Sequence, residues 1–148
     1  MAASRSLSIE DANLGSVSLV SARNVSYSDI DLSFVIRSNG DIFKKSEAAA
    51  VKQAVKTLLQ TNFGEKPFNY FFGANIRALL FEPVTPETID DIETNIILAI
   101  QNFEPRAKLL NVQVLDEIDR NSINVSVKFQ VVSTEEVIEL ETAFSRLR

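Results

Sequence analysis

The sequence predicts an α+β fold: an antiparallel β-sheet with two main amphipathic helices packed on one face. Three observations predict it. Two segments, near 46–60 and 85–103, place apolar residues at intervals of three and four. Three other segments, beginning at Ile30, Leu110 and Ile123, alternate apolar and polar residues with period two. The last two are joined by a turn signal and form a hairpin, so the helices are segregated to one face of the sheet.

Residues 1–26 are rich in Ser, Ala and Asn and read as an N-terminal arm with little core of its own. The short apolar stretch 17–20 leaves open an added strand on some sheet edge. Residues 27–148 read as a single α+β domain. In its first strand Ile30, Leu32, Phe34 and Ile36 face one way, against Asp31, Ser33 and Arg37. Ser38-Asn39-Gly40-Asp41 is a turn, because Asn and Gly tolerate positive φ. Ile42 and Phe43 continue as a short return strand.

Ser46 is the expected cap of the first helix. Ala48, Val51, Val55, Leu58 and Leu59 share one face, and Lys52, Lys56 and Gln60 decorate the other. Asn62 and Gly64 are the expected stop. A short helical piece is predicted over 74–81, broken by Glu82 and Pro83. In the second helix Thr85 is the cap and Pro86 takes the first helical position, where a missing N–H costs nothing. Glu87, Asp90 and Asp91 complement the dipole or form a charged face. Ile89, Ile92, Ile96, Ile100 and Phe103 form the apolar stripe, and Pro105 stops the helix.

Leu110, Val112 and Val114 then alternate with Asn111, Gln113 and Leu115. A turn is expected at 119–122. Ile123, Val125, Val127, Phe129 and Val131 make the second hairpin strand. The final segment fits two templates. Val137, Leu140, Phe144 and Leu147 suit a helix opened by a capping box at Ser133 and Glu136. Ile138, Leu140, Thr142 and Phe144 suit a strand, which would leave a free sheet edge.

Composition excludes several classes of function. The 148 residues suit one domain and include neither cysteine nor histidine. Disulfides, thiol catalysis and Ser-His-Asp machinery are therefore excluded within this chain, and zinc loses its main ligands. No spaced Asp loop offers calcium a site. A net charge of -5, with Lys44–Lys45 the only adjacent basic pair, argues against nucleic acid. No apolar run approaches a membrane span, and residues 1–13 lack the apolar centre of a signal peptide. The expectation is a cytoplasmically made protein with no cofactor and no membrane partner.

Two motifs stand out. Between Gly64 and Gly73 lie four aromatics, Phe68, Tyr70, Phe71 and Phe72, together with Pro67. Phe68 and Phe72 are expected to plug the core. Tyr70 and Phe71 are adjacent, so one of them is expected to point outward as an interface anchor. Glu104-Pro105-Arg106 stands where the second helix ends. Arg106 either bonds the last helix carbonyls, pairs with Glu104, or presents its planar fork to a partner's carboxylate or carbonyls.

Gly64-Glu65-Lys66-Pro67-Phe68, Phe72-Gly73, Leu80-Phe81-Glu82-Pro83 and Glu104-Pro105-Arg106 occur in the order and spacing of one family. From about residue 27 to 132 the chain resembles the small baseplate wedge proteins of contractile-tailed phages and their type VI secretion counterparts. It departs at Lys66, where the family usually has arginine, and at Tyr70 and Phe71, where proline and an acid are common. The resemblance implies a structural role without chemistry of its own. It implies a place beside the helical bundle of the larger baseplate wedge subunits, six copies around the tail tube, and a sheet that offers the tail sheath subunit a template for its first ring. Tail tube or hub proteins are further candidate partners. The implied location is the virion tail baseplate, assembled in the host cytoplasm. Pro67, Phe68, Tyr70, Phe71, Phe72, Glu104, Pro105 and Arg106 become the candidate partner-binding residues.

Two competing functions carry distinct marks. The family has at times carried a lysozyme label, and a glycosidase needs only two carboxylates, with Asp29, Asp31, Glu65 and Glu82 as candidates. A stand-alone cytosolic regulator could use the same fold as a protein-binding module, since fold does not fix function.

Overall fold

The structure is a computed structural model that describes residues 27–117 and 122–145. The N-terminal arm, residues 119–121 of the expected turn, and Leu147 lie outside the described residues. Strands β1 (Ser28–Ile30) and β2 (Lys44–Ser46) form a two-stranded antiparallel ribbon, with Ser28 opposite Ser46 and Ile30 opposite Lys44. The strand expected over 30–36 therefore ends at Ile30. The Asp31 carboxylate accepts from the Ser33 amide at 3.0 Å, and the Phe34 amide donates to the Asp31 carbonyl at 3.2 Å. This Asx turn offers the backbone an alternative to the ladder. It turns the chain, places Phe34 at φ 52 and leaves Leu32, Phe34 and Ile36 exposed. The turn at 38–41 forms as expected, with Gly40 at φ 81 and the Arg37 amide bonded to the Asp41 carbonyl.

Helix α1 (Glu47–Gln60) buries Val51, Val55, Leu58 and Leu59. Ser46 occupies its N-cap position but its side chain accepts no bond. The Glu47 amide donates instead to the Tyr27 carbonyl at 2.7 Å, so the ribbon satisfies the helix start. The helix ends at Gln60, just ahead of the expected stop at Asn62 and Gly64. Thr61 turns extended, and its hydroxyl donates back to the Thr57 carbonyl at 2.7 Å. Helix α2 is a single turn, Ile76–Leu79, shorter than the expected piece.

Helix α3 (Pro86–Phe103) follows the sequence pattern closely. The Thr85 hydroxyl accepts from the Thr88 amide at 3.2 Å, and Pro86 opens the helix. Ile92, Ile96 and Ile100 are fully buried. Glu104 leaves the helical region at φ -129, as the steric demand of Pro105 on its predecessor requires.

Strands β3 (Ala107–Glu117), β4 (Ser122–Val131) and β5 (Val137–Ser145) form an antiparallel sheet in that order. The last segment is thus a strand, paired along β4 from Gln130–Val137 to Ser122–Ser145. Ser133 is no capping box: its hydroxyl donates to the Glu47 carboxylate. Leu110 is exposed, against the alternation expected of it. The register shifts between Leu109 and Asn111, so a bulge at Leu110 moves the inward set to Val112 and Val114. The core lies between α1 and α3 on one side and the sheet on the other. Central strand β4 contributes Ile123, Val125, Val127, Phe129 and Val131, all buried. Each such side chain stabilises the fold by roughly 1.5–3 kcal/mol of transfer free energy.

Candidate functional site

Of the residues singled out from the sequence, Phe72 and Glu104 are brought together beside Phe103. Phe72 is half-buried and packs on Phe103 of α3, with centroids 5.1 Å apart. Lys66 lies 3.8 Å above the Phe72 ring and covers it. Phe72, Phe103, Glu104 and Asp29 line a common crevice of about 290 Å³ beside α1. The aromatic loop and the Glu104 corner are therefore neighbours, although more than 30 residues separate them in sequence.

The loop itself is held by its own bonds. The Gly64 amide donates to the Tyr70 carbonyl at 2.7 Å, and the Glu65 carboxylate accepts from both the backbone and side chain of Asn62 at 2.9 Å. Those two bonds, the backbone one foremost, hold the Glu65 carboxyl below its ordinary pKa. Gly73, at φ 117, passes so close to the Thr61 carbonyl that a Cβ would lie 2.3 Å from its oxygen.

On this frame Phe63, Tyr70 and Phe71 form a cluster of edge and tilted contacts, with centroids 5.2–6.5 Å apart. Tyr70 and Phe71 are both largely exposed, so both side chains point outward rather than one. Phe68 was expected to plug the core. It stands instead fully in solvent at φ 64. The left-handed backbone turns its side chain away from the helices, so Phe72 alone of the expected pair reaches the core. Pro67 and Pro105 are exposed and make the loop and the corner turn.

At the corner, Arg106 grips Glu104 with both arms of its fork. Nε donates to Oε1 at 2.5 Å and Nη2 to Oε2 at 2.8 Å. The Glu104 side chain is 7 % exposed and that of Arg106 32 %. The Glu104 carboxylate raises the Arg106 pKa above its already high ordinary value. Of the roles open to Arg106, pairing with Glu104 is the one made within the chain. Its guanidinium also lies 5.3 Å from the Tyr27 ring centroid.

Sequence reasoning missed Phe63, Tyr27 and Gln53. The Gln53 amide nitrogen donates to the Ile30 carbonyl at 2.7 Å and pins the ribbon to α1. A Gln on the apolar face of a helix was the available signal. The sequence also gave no notice that Leu32, Phe34, Val35, Ile36 and Phe43 stay exposed on the projection from the ribbon. Among the described residues no group of acids is placed to hold a metal, and no helix is long and apolar enough to cross a membrane.

A sheet carrying two helices on one face, with a hydrogen-bonded, solvent-facing aromatic loop, defines a protein of the α+β class. Residues 45–136 match the model of the family described as baseplate wedge protein gp25. The chain is 34 % identical over 116 residues to the baseplate wedge protein gp25 of Enterobacteria phage T4, covering 78 % of this chain and 88 % of that protein. This chain belongs to the gp25 family of baseplate wedge proteins. Two solved structures share the fold at lower identity. One is a Geobacter sulfurreducens protein that bears a tail lysozyme label, 24 % identical with TM-score 0.60, covering 66 % of this chain and 89 % of that one. The other is a chain of the anti-feeding prophage baseplate, 19 % identical with TM-score 0.58, covering 80 % and 85 %.

Proposed function

We propose that this chain is a structural, non-catalytic component of a contractile-tail baseplate wedge. In this reading the loop 67–72 and the 104–106 corner dock on the larger wedge subunits. The sheet offers its free edge to the first ring of sheath subunits, with one copy in each of six wedges. The observation that carries the reading is the outward face of the loop. Phe68, Tyr70 and Phe71 are exposed in a segment that is otherwise tightly bonded, and beside the Glu104–Arg106 clamp. A rigid exposed aromatic cluster costs the free subunit solvation and returns it only when a partner covers it.

The glycosidase reading finds no general acid at Asp31 or Glu65. A general acid needs a carboxyl whose pKa is raised. Two of its candidates, Asp31 and Glu65, are held low instead, Asp31 first by the Ser33 amide and then by Lys45. The label on the Geobacter protein stays with that protein.

The test is co-expression with the two larger wedge subunits of the same locus, read by size-exclusion with mass determination. The wild-type chain should form a stable complex. A Phe68→Ser/Tyr70→Ser/Phe71→Ser variant that is folded alone should lose it. A complex that survives both this variant and Arg106→Ala would refute docking through this end of the molecule.

A further inference from the structure

We infer that the open edge of β5 selects a partner strand carrying acidic side chains on its helix-facing side, and that Lys52 holds the edge until such a strand arrives. The inference rests on the proposal that this edge docks a strand. It adds the chemistry of that strand.

Strand β5 pairs with β4 along one side, and no strand covers its other side among the described residues. Beyond that side lies a groove of about 870 Å³. Its opposite wall is α1, presenting Lys52, Lys56 and Gln60, residues on successive turns of one stripe. Lys45 and Asp31 of the ribbon close one end and pair with each other at 3.1 Å. Neither Lys52 nor Lys56 has an ion pair among the described residues.

Lys52 does something more specific. Its ammonium donates to the backbone carbonyl of Glu139 at 3.1 Å. That carbonyl therefore takes its donor from a helix side chain where an added strand would supply an N–H. In an antiparallel strand the groups that do not meet the partner all point the other way. The N–H and C=O of Glu139, Glu141 and Ala143 accordingly line the open side. A lysine over an exposed edge keeps unrelated strands from pairing there. A strand that displaces it must give the ammonium something better than a carbonyl.

The charges are sorted by side. Lys52 and Lys56 lie on the helix side of the groove. Glu139 and Glu141 belong to the exposed set of β5, on the face away from the helices, where Glu139 meets Lys128 at 3.8 Å. A strand added here alternates between these environments. Carboxylates at its helix-facing positions meet two lysines one turn apart. Carboxylates at the other positions meet like charge. The pattern thus admits acid on one face and rejects it on the other.

The test uses the full chain and two capped heptapeptides, Thr-Glu-Thr-Glu-Thr-Glu-Thr and the same sequence with Lys for Glu. Binding is read by fluorescence anisotropy at low salt, and edge occupation by amide exchange at Glu139, Glu141 and Ala143. The acidic peptide should bind about tenfold more tightly than the basic one and slow those three amides. A Lys52→Glu/Lys56→Glu variant should reverse the preference. If both peptides slow the amides equally, strand addition stands and the charge selection is overturned. If neither does so, strand addition at this edge fails with it. Protection before any peptide is added would mean the edge is already covered, by a second copy if it varies with concentration or by residues 1–26 if it does not. Either result overturns the partner-strand assignment.

Discussion

Consider removal of the Arg106 guanidinium. Glu104 is almost wholly buried, and its carboxylate accepts two charge-assisted bonds from Arg106. Deleting one member of a fully buried pair costs roughly 3–5 kcal/mol, because the remaining charge stays desolvated. Arg106 is 32 % exposed, so water would reach part of the vacated space. The expected loss for Arg106→Ala is therefore about 1–3 kcal/mol. Glu104→Gln in the Arg106→Ala background removes the stranded charge and should recover at least ~1 kcal/mol of that loss. The assay is a double-mutant cycle by urea unfolding, read from midpoints at constant slope. Additive single effects would refute the argument that the two residues act as a unit. Arg106→Lys separates fastening from docking, since lysine keeps the charge without the planar fork. Loss of the wedge complex by a lysine variant of unchanged stability would place the guanidinium in the partner interface.

Other perturbations follow from the same geometry. Gly73→Ala drives a Cβ to 2.3 Å from the Thr61 carbonyl oxygen at a positive φ, so a loss of about 3 kcal/mol and a fall of about 10 °C in Tm are expected by calorimetry. Asp31 has its folded pKa depressed by the Ser33 amide and by Lys45; its contribution is complete above the unfolded value of about 4 and is lost as pH falls through the lower folded value. The stability gap between wild type and Asp31→Asn should thus be flat from about pH 5 to 8 and close on further acidification; a gap that widens in acid would contradict the assignment. Phe68→Asn relieves a left-handed backbone strained for Phe, so stability should hold or rise by up to ~1 kcal/mol while the affinity for the wedge subunits falls.

How much of this was legible in the sequence depends on whether the deciding interaction was local. Helix α3 was readable because Thr85, Pro86, the isoleucine stripe and Pro105 each act within a few residues of themselves. Strand β4 was readable because five inward apolar positions hold one period without interruption. The end of the chain was not, since Leu140 and Phe144 fit both periods. Only pairing with the open side of β4, the strand just before it, makes it a strand. Leu110 failed for a related reason: a bulge exists relative to a partner strand, and one strand read alone cannot show it. The strand expected at 30–36 failed locally, because Asp31 and Ser33 compete with the ladder and were counted merely as its outward residues.

The candidate site divides along the same line. Composition marked the loop 67–72 and the 104–106 corner, and the Glu104–Arg106 pairing was among the local options. Which aromatics face outward was decided by backbone conformations that composition does not announce. Phe34 and Phe68 both adopt left-handed φ with the ring in solvent. A free monomer gains nothing from either the strain or the exposure, and a core repays neither. The two costs coincide at apolar side chains outside the core, on the ribbon projection and on the loop. In the proposed function, that coincidence separates residues held out for a partner from residues that failed to find the core. Lys52 shows the converse: an ordinary surface lysine acquires meaning only because α1 overhangs the free edge of β5, a relation between segments 87 residues apart.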